Sequence, residues 1–584
     1  MQYDLVVIGS GPAGQKGAVA AAKLGKKVAI IEHSVGQIGG VCLHSGTVPS
    51  KTLREAILYL TGYRQRGVYA DRYRSKRSIT MDDLRRKLDS VIQTEWEIIR
   101  DQFDRNDVAV YSGNAAFVDP HHIRISDPRG NVVLEADKIL ISCGTRPARP
   151  SHIPFDKETI FDSDEILRLK RIPRSMVVIG AGVIGIEYAI MFATLGVEVT
   201  VVDGRTAVLD FCDSEIIETL LFKCRMLNMR FRMGENVRNV ARRSDGQVVV
   251  KLESEKHLIA ETTLYSGGRE SWLDSLNVEA ADLKPNSRGR LELVNQFQTQ
   301  TPNIFAAGDV IGFPSLASSA MEQGRRAVMQ AFGQTTKSLG DIPYGLFTIP
   351  EISMIGQNEQ QLTADKVPYE VGLGRFNEIA RSKIIGDETG LLKILFHRHT
   401  KQVLGVHCIG ELATEIIHIG QAVMNLKGTI DYFCETVFNY PTMAECYRVA
   451  AFNGLNRLGA EDAFDPSGKT AIVSTATAVR LSSQGQTYLS LGKSTDQWAE
   501  LDTEVEILKE IENLGSGTPP SFASSPLAAS HAPSTGSREV DQKTGPEPDS
   551  PRSDLLQNTQ RIAAPGVGSS LPPVSFPSGV IPTR

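Results

Sequence analysis

Apolar runs bounded by glycine set the first expectations. Residues 4–32 read as one unit: the run "DLVVIG", a glycine-rich turn, the Ala-rich segment "GAVAAAKLG" and the run "KKVAIIE". That order predicts strand, turn, helix and strand, the opening of a parallel α/β sheet. Helical patterning covers most of 47–105, and strand-like runs follow at "DVAVYSG", "HIRIS" and "KILISCG". A second unit of the same kind spans 176–203, with "MVVIGAG", the helical "GIEYAIMFATLG" and then "VEVTVVD". Two such units in one chain suggest two dinucleotides held face to face. From about 341 to 460 the pattern changes to mixed strands and helices, as in "LLKILFHR", "KQVLGVHCIG" and "EIIHIGQAVMNL".

The last stretch, 465–584, has no such pattern. It carries 13 of the 28 prolines, no cysteine, and long Ser/Thr/Gly/Pro runs such as "SGTPPSFASSPLAASHAPSTGS". A composition of this kind buries too little apolar area to offset chain entropy, so disorder is predicted. Within it, "DQWAELDTEVEILKEIENLG" places Trp498, Leu501, Val505 and Leu508 on one helical face, either as a transient helix or as a docking helix.

Composition narrows the class. At 584 residues the chain is too long for one core, and about three or four domains are expected. Hydrophobic content of 41% and charged content of 22% are ordinary for a globular enzyme. A formal charge of −5 gives no reason to expect nucleic acid or an anionic membrane as partner. No apolar run approaches the ~20 residues of a membrane span. A strand begins too early to leave room for a secretory leader, and seven cysteines, an odd number at irregular spacing, do not resemble a disulfide framework. A reducing cytoplasm is the expected location.

The candidate chemistry lies at the strand ends. "GSGPAG", residues 9–14, follows a strand and precedes a helix: Gly9 makes the turn, Gly11 admits a pyrophosphate, and Gly14 permits close packing of helix on strand. Glu32, at the end of the next strand, would accept hydrogen bonds from an adenosine ribose. "GAGVIG", residues 180–185, repeats the device with Gly180, Gly182 and Gly185. The strand after it ends in Asp203, suited to the 2′-hydroxyl of NAD, with Arg205 nearby for the 2′-phosphate of NADP. "TPNIFAAGD", ending in Asp309, and "GTRP" at 144–147 complete the set. His407 and His418 have no partner at metal-ligand spacing, so no metal site is expected.

With these motifs in these places, residues 3–460 resemble the pyridine nucleotide-disulfide oxidoreductases. The resemblance implies an FAD domain (1–147), an inserted NAD(P) domain (148–285), a return segment (286–340), an α+β dimerisation domain (341–464) and then the disordered tail. It also implies one non-covalent FAD per subunit and a homodimer or larger homo-oligomer; the tail's partner is unknown. In that family a disulfide on the redox helix and a His-Glu pair carry electrons to a disulfide substrate. Here the helix reads "GGVCLHSGTVPSK": Cys42 is present, but Thr47 stands where its partner thiol would be. In "NYPTMAE", Tyr440 stands where the histidine would be, with Glu445 kept. A phenol of pKa near 10 is a poor proton shuttle for thiolates.

Two losses in one circuit leave nicotinamide and flavin with nothing downstream. The sequence, including "DVIGFPSLASSAMEQGR" and "FNYPTMAECYRVAAFNGLNRL", is similar to the soluble FAD-containing pyridine nucleotide transhydrogenases. That resemblance implies NAD and NADP as substrates. It places FAD against Gly9, Gly11, Gly14, Glu32, Gly40, Val41, Cys42, Lys51, Ala115, Gly144, Asp309 and Ala317. It places NAD(P) against Gly180, Gly182, Gly185, Asp203, Arg205 and Gly268. Lys51 and Glu187 would form the pair beside flavin N5, and Cys42 is read as a packed thiol. A flavin diaphorase passing electrons to a quinone or dye, and a non-catalytic platform acting through its tail, remain as alternatives.

Overall fold

The computed structural model describes residues 1–64, 79–337 and 339–462, together with two short strands, Ala478–Leu481 and Thr487–Ser490. The chain divides into two units, 1–472 and 473–584. The first begins with the predicted strand, helix and strand: Gln2–Ile8, Pro12–Lys23 and Val28–Glu32. The two strands pair in parallel, Leu5 beside Val28, and Ala109–Ser112 adds beyond them. On the other side lies Gly130–Ile141. The second half of this long strand runs parallel to Gln2–Ile8, while its first half is antiparallel to His122–Asp127. Ile304–Ala306 completes the seven-stranded sheet from far along the chain, with Ile304 beside Ile139.

The second sheet has five parallel strands in the order Arg230–Met233, Glu198–Asp203, Ser175–Ile179, Thr262–Tyr265 and Ile160–Asp162. Helix Val183–Thr194 follows the central strand and is buried along most of its length. The chain leaves the first sheet through Thr145–Pro147 and returns through Arg269–Ser271, and these two segments pair antiparallel as a two-stranded crossing. The return crossing thus lies near 271, ahead of the boundary expected at 285. Leu273, Leu276, Val278, Ala281 and Leu283 already pack in the core of the first sheet with Val6, Phe117 and Ile139.

The third sheet is antiparallel, ordered Tyr344–Leu346, Ile352–Gly356, Val403–Ile409, Leu391–His397 and Tyr369–Arg375. Helix Glu445–Asp462 lies against its last strand at glycines. A Cβ on Gly372 would come 2.2 Å from the Ala450 carbonyl oxygen, so a larger residue would force the helix off. Helix Thr47–Thr61 joins two of the three regions, since Leu53 and Ile57 share a core with Ile186 of the second sheet's helix and Leu346 of the third sheet.

Within 473–584 the structure describes one antiparallel hairpin, Ala478 beside Ser490. In it Val479 and Leu489 fall opposite one another, in two short runs of strand-forming residues. The rest of the tail, including the helix expected at 496–515, lies outside the described residues.

Candidate active site

Both glycine-rich turns are built alike. Gly9 and Gly180 adopt φ of +96° and +110°, where a Cβ would lie 2.5 Å from the Ser142 carbonyl oxygen and 2.7 Å from that of Ser266. Each of these serines ties the turn down with its hydroxyl: Ser142 donates to Ile8 and Gly9, Ser266 to Ile179 and Gly180. Gly14 and Gly185 meet no ligand cavity. Each lets its helix pass over the turn, and a Cβ would sit 1.9 Å and 2.0 Å from the carbonyl oxygens of Gly9 and Gly180. The helices begin at Gly11 and Gly182 with no side-chain cap, so their first N–H groups stay open to an anion.

A cavity of about 660 Å³ runs along the first turn. Gly9, Gly11, Glu32, Gly40, Val41, Cys42, Ala115, Gly144, Asp309 and Ala317 all line it, as does Thr47; Gly14 and Lys51 do not. At one end Glu32 accepts through Oε2 from the Ser10 backbone N–H (2.9 Å) and hydroxyl (2.6 Å), and through Oε1 from the His33 N–H (2.8 Å). Ser10 Oγ in turn accepts from the Gly39 N–H at 3.0 Å, so one hydroxyl connects the acid to the loop carrying Cys42. Burial pushes the Asp309 carboxyl above its ordinary range, opposed by the charge of Arg269 and a hydrogen bond from Thr145.

An elongated groove with an open helix N-terminus and an acid at the far strand end fits a flavin dinucleotide. A Cβ on Gly40 would stand 3.0 Å from Gly11 Cα, against the glycine turn where the pyrophosphate would lie.

Cys42 has no sulfur partner, and all seven cysteines of the chain are free. Burial pushes its thiol up, the hydrogen bond with the Thr47 side chain works against this, and the net shift is upward. A thiol in that condition is protonated at neutral pH and is a weak nucleophile. Tyr440 is 72% exposed, and Glu445 Oε2 is buried without a hydrogen-bond partner among the described residues. Within this chain Tyr440 and Glu445 form no relay.

Lys51 and Glu187, 136 positions apart, meet at 2.6 Å. Glu187 is 4% exposed, and its other oxygen accepts from the Phe347 N–H at 2.8 Å. The Lys51 ammonium lies 5.0 Å over the Phe347 ring. A nearly desolvated carboxylate thus fixes the position of a half-buried ammonium.

The second cavity, about 650 Å³, is lined by Gly180, Gly182, Asp203, Arg205 and Gly268, with Glu235 and Glu253. Sequence reasoning gave Asp203 and Arg205 opposed, independent tasks. The structure joins them: Arg205 Nη2 donates to Asp203 Oδ2 at 2.8 Å and Nε to Oδ1 at 3.1 Å, while Oδ2 also accepts from the Ala181 N–H at 2.6 Å. Burial pushes the Asp203 carboxyl up, but these hydrogen bonds prevail and hold it below the ordinary range. A 2′-phosphate must therefore draw Arg205 away from Asp203. Since Arg205 is the only Lys or Arg among the described residues that line this cavity, Arg205→Ala is expected to weaken NADP(H) by about 1–3 kcal/mol, toward the lower end for so exposed a group, and to leave NAD(H) nearly unchanged. Titration of each nucleotide into the two proteins checks this, and equal weakening of both would make Arg205 a scaffold for the turn.

Asp213, Glu215 and Glu359 bring three carboxylates together, the one such group among the described residues. The Lys393 ammonium already stands among them, 2.9 Å from Asp213 and 3.2 Å from Glu215, and also contacts Glu359. His407 is buried, with its Nε2 2.9 Å from the Gln357 carbonyl oxygen, and burial lowers its pKa. His418 meets Gln421 at 2.8 Å.

Sequence reasoning passed over Ser10, Ser142, Ser266 and Thr145. A signal for two of them was present. "ISCG" and "YSGG" end corresponding strands in the two units, and the shared serine marks the tie to the glycine turn.

Two dinucleotide sites of the same construction, joined by the Lys51–Glu187 contact and followed by a third, antiparallel domain, define a flavin- and nicotinamide-linked oxidoreductase. The chain belongs to the pyridine nucleotide-disulphide oxidoreductase family: the family model matches residues 3–324 and its dimerisation domain matches 342–451. It is 50% identical over 466 residues to the soluble pyridine nucleotide transhydrogenase of Mycobacterium tuberculosis, covering 79% of this chain and 99% of that protein. Its identity to the protein of that name from Escherichia coli is 46% over 462 residues, 78% and 98% of the two chains. Among solved structures it is similar to LpdA from Mycobacterium tuberculosis, with TM-score 0.71, 25% identity, and coverage of 77% and 99%. The HOCl-induced flavoprotein disulfide reductase RclA from Escherichia coli gives TM-score 0.70 and 26% identity, again with 77% and 99% covered.

Proposed function

We infer that this protein transfers hydride between NADPH and NAD+, with FAD as its resident cofactor. The observation that carries the reading is the asymmetry of the site. Both dinucleotide cavities and the Lys51–Glu187 pair are intact, whereas the route onward to a disulfide is interrupted at Thr47 and again at Tyr440.

FAD, when bound, supplies a centre that accepts a hydride from one nicotinamide and returns it to another. The chain's own residues do the rest. The turn at Gly180 and the open helix end at Gly182 would hold each nicotinamide dinucleotide in turn, and Asp203 with Arg205 would read the ribose. Lys51, held by Glu187, would set a positive charge where electrons arrive and leave. Because one nicotinamide site would serve both substrates, the first product must leave before the second substrate enters, and ping-pong kinetics follow.

A homodimer in the cytoplasm completes the reading. Seven free cysteines suit a reducing compartment, and among the described residues no helix is long and apolar enough to cross a membrane. Val437 and Tyr440, 85% and 72% exposed beside the dimerisation domain's last helix, suit the face covered by a second copy.

The test is purified protein with NADPH and thio-NAD and no other acceptor. Thio-NADH should form, while lipoamide and glutathione disulfide should be inert. Disulfide turnover that disappears in Cys42→Ser would overturn the reading.

A further inference from the structure

FAD carries its formal charge on its pyrophosphate, and the cavity that fits it is poor in compensating charge. Its wall holds the carboxylates of Glu32 and Asp309, and among the described residues the only Lys or Arg lining it is Arg168. The open helix N-terminus at Gly11 offers about half a positive charge. Arg269 and Arg290 already act on the Asp309 carboxyl, so the pyrophosphate is the charge that a guanidinium on this wall would meet.

Arg168 is held where it can serve. It ends the short turn Ile166–Arg168, between Ile166 and Leu169, which are 1% and 4% exposed, so the backbone is anchored while Arg168 itself is exposed and its side chain free. Nearby guanidinium groups are already engaged: Arg149 with Asp162 and Glu165, Arg269 with Asp164 and Thr145. Arg168 makes no ion pair or side-chain hydrogen bond with any described residue. An unengaged guanidinium on the wall of a dinucleotide cavity matches the one anionic part of the dinucleotide.

We propose that Arg168 binds the FAD pyrophosphate and is a cofactor-positioning residue that no sequence motif marks. The proposal rests on FAD occupying the 660 Å³ cavity. Arg168 also borders a neighbouring cavity of about 990 Å³, which Lys170 lines as well; Lys170 does not line the flavin cavity. An anion in the neighbouring cavity is therefore the competing assignment.

The experiment follows FAD release from the full-length holoenzyme after dilution, by the rise in flavin fluorescence, at low and high salt. Arg168→Ala should lose FAD about 10-fold faster than the wild type at low salt, the lower end of the worth of one charge-assisted hydrogen bond because the residue is exposed. Arg168→Lys should recover most of the difference, and Lys170→Ala should match the wild type. Release from the wild type should accelerate with salt, and release from Arg168→Ala should respond less. Unchanged release in Arg168→Ala, or equal acceleration in Arg168→Lys, overturns the proposal. A wild type that purifies without FAD overturns the cofactor reading itself, so the two failures are distinct.

Discussion

Lys393→Met is expected to destabilise the folded core by about 3–5 kcal/mol, the usual consequence of stripping one partner from a buried ion pair. Lys393 and Asp213 are both 0% exposed by side chain, while the ammonium's other partners, Glu215 and Glu359, are 34% and 33% exposed, so the cost falls mainly on Asp213. Asp213 also caps helix Ser214–Met226, accepting from the Glu215 N–H at 3.1 Å, so the uncompensated charge would sit at a structural joint between the second and third sheets. Methionine nearly preserves the volume, which isolates the charge. Asp213→Asn added to Lys393→Met should recover part of the loss, because the orphaned charge goes with it. Urea unfolding of the holoenzyme measures both, and a Lys393→Met midpoint equal to the wild type removes the argument.

The same group has a definite pH signature. Burial lowers the Lys393 pKa, but hydrogen bonds to Glu359 and Asp213 prevail and raise it above the ordinary lysine value. A raised folded pKa means that the contribution is fully present below about pH 10.4 and is lost only as the pH climbs through the folded value. From pH 6 to 9 the difference between Lys393→Met and wild type should therefore be flat.

The second large effect concerns the electron-transfer step. Lys51→Met should slow flavin reduction by NADH and by NADPH alike, by about 10²-fold, because a fixed charge aimed at a reacting centre is worth that much when removed. Glu187, 4% exposed, would then face the site with no cation beside it. Stopped-flow half-reactions with each nucleotide measure this, and the pattern contrasts with Arg205→Ala, which should affect NADPH alone. Rates within a few-fold of the wild type for both nucleotides would mean that Lys51 only ties its helix to Glu187.

The two dinucleotide units were legible because their central strands are buried on both faces and end in glycines that no other residue can replace. "DLVVIG" and "MVVIGAG" state strand, turn and helix within a few residues. The return crossing near 271 was not legible. The crossing strands Thr145–Pro147 and Arg269–Ser271 are too short to show a period, and the segment after them reads as loop until its leucines are seen in the first core. Asp203 and Arg205 were found as residues, but two positions of separation say nothing about direction, and only the fold turns one toward the other. Lys51 and Glu187 were paired through family resemblance, since no local pattern links positions so far apart. Arg168 lies in an ordinary turn whose meaning comes entirely from the cavity beside it.

The late strand Ile304–Ala306 has a consequence for biosynthesis. The inserted unit has all its strands once the ribosome has passed Ser271, although its first residue is made well after the surrounding unit begins. The surrounding unit must wait, with the Ile139–Ile141 edge of its sheet uncovered and Asp309 not yet made, for some forty further residues of translation. The inner domain can thus close before the outer one on the nascent chain, and the cofactor can be taken up only after the whole nicotinamide domain has been made.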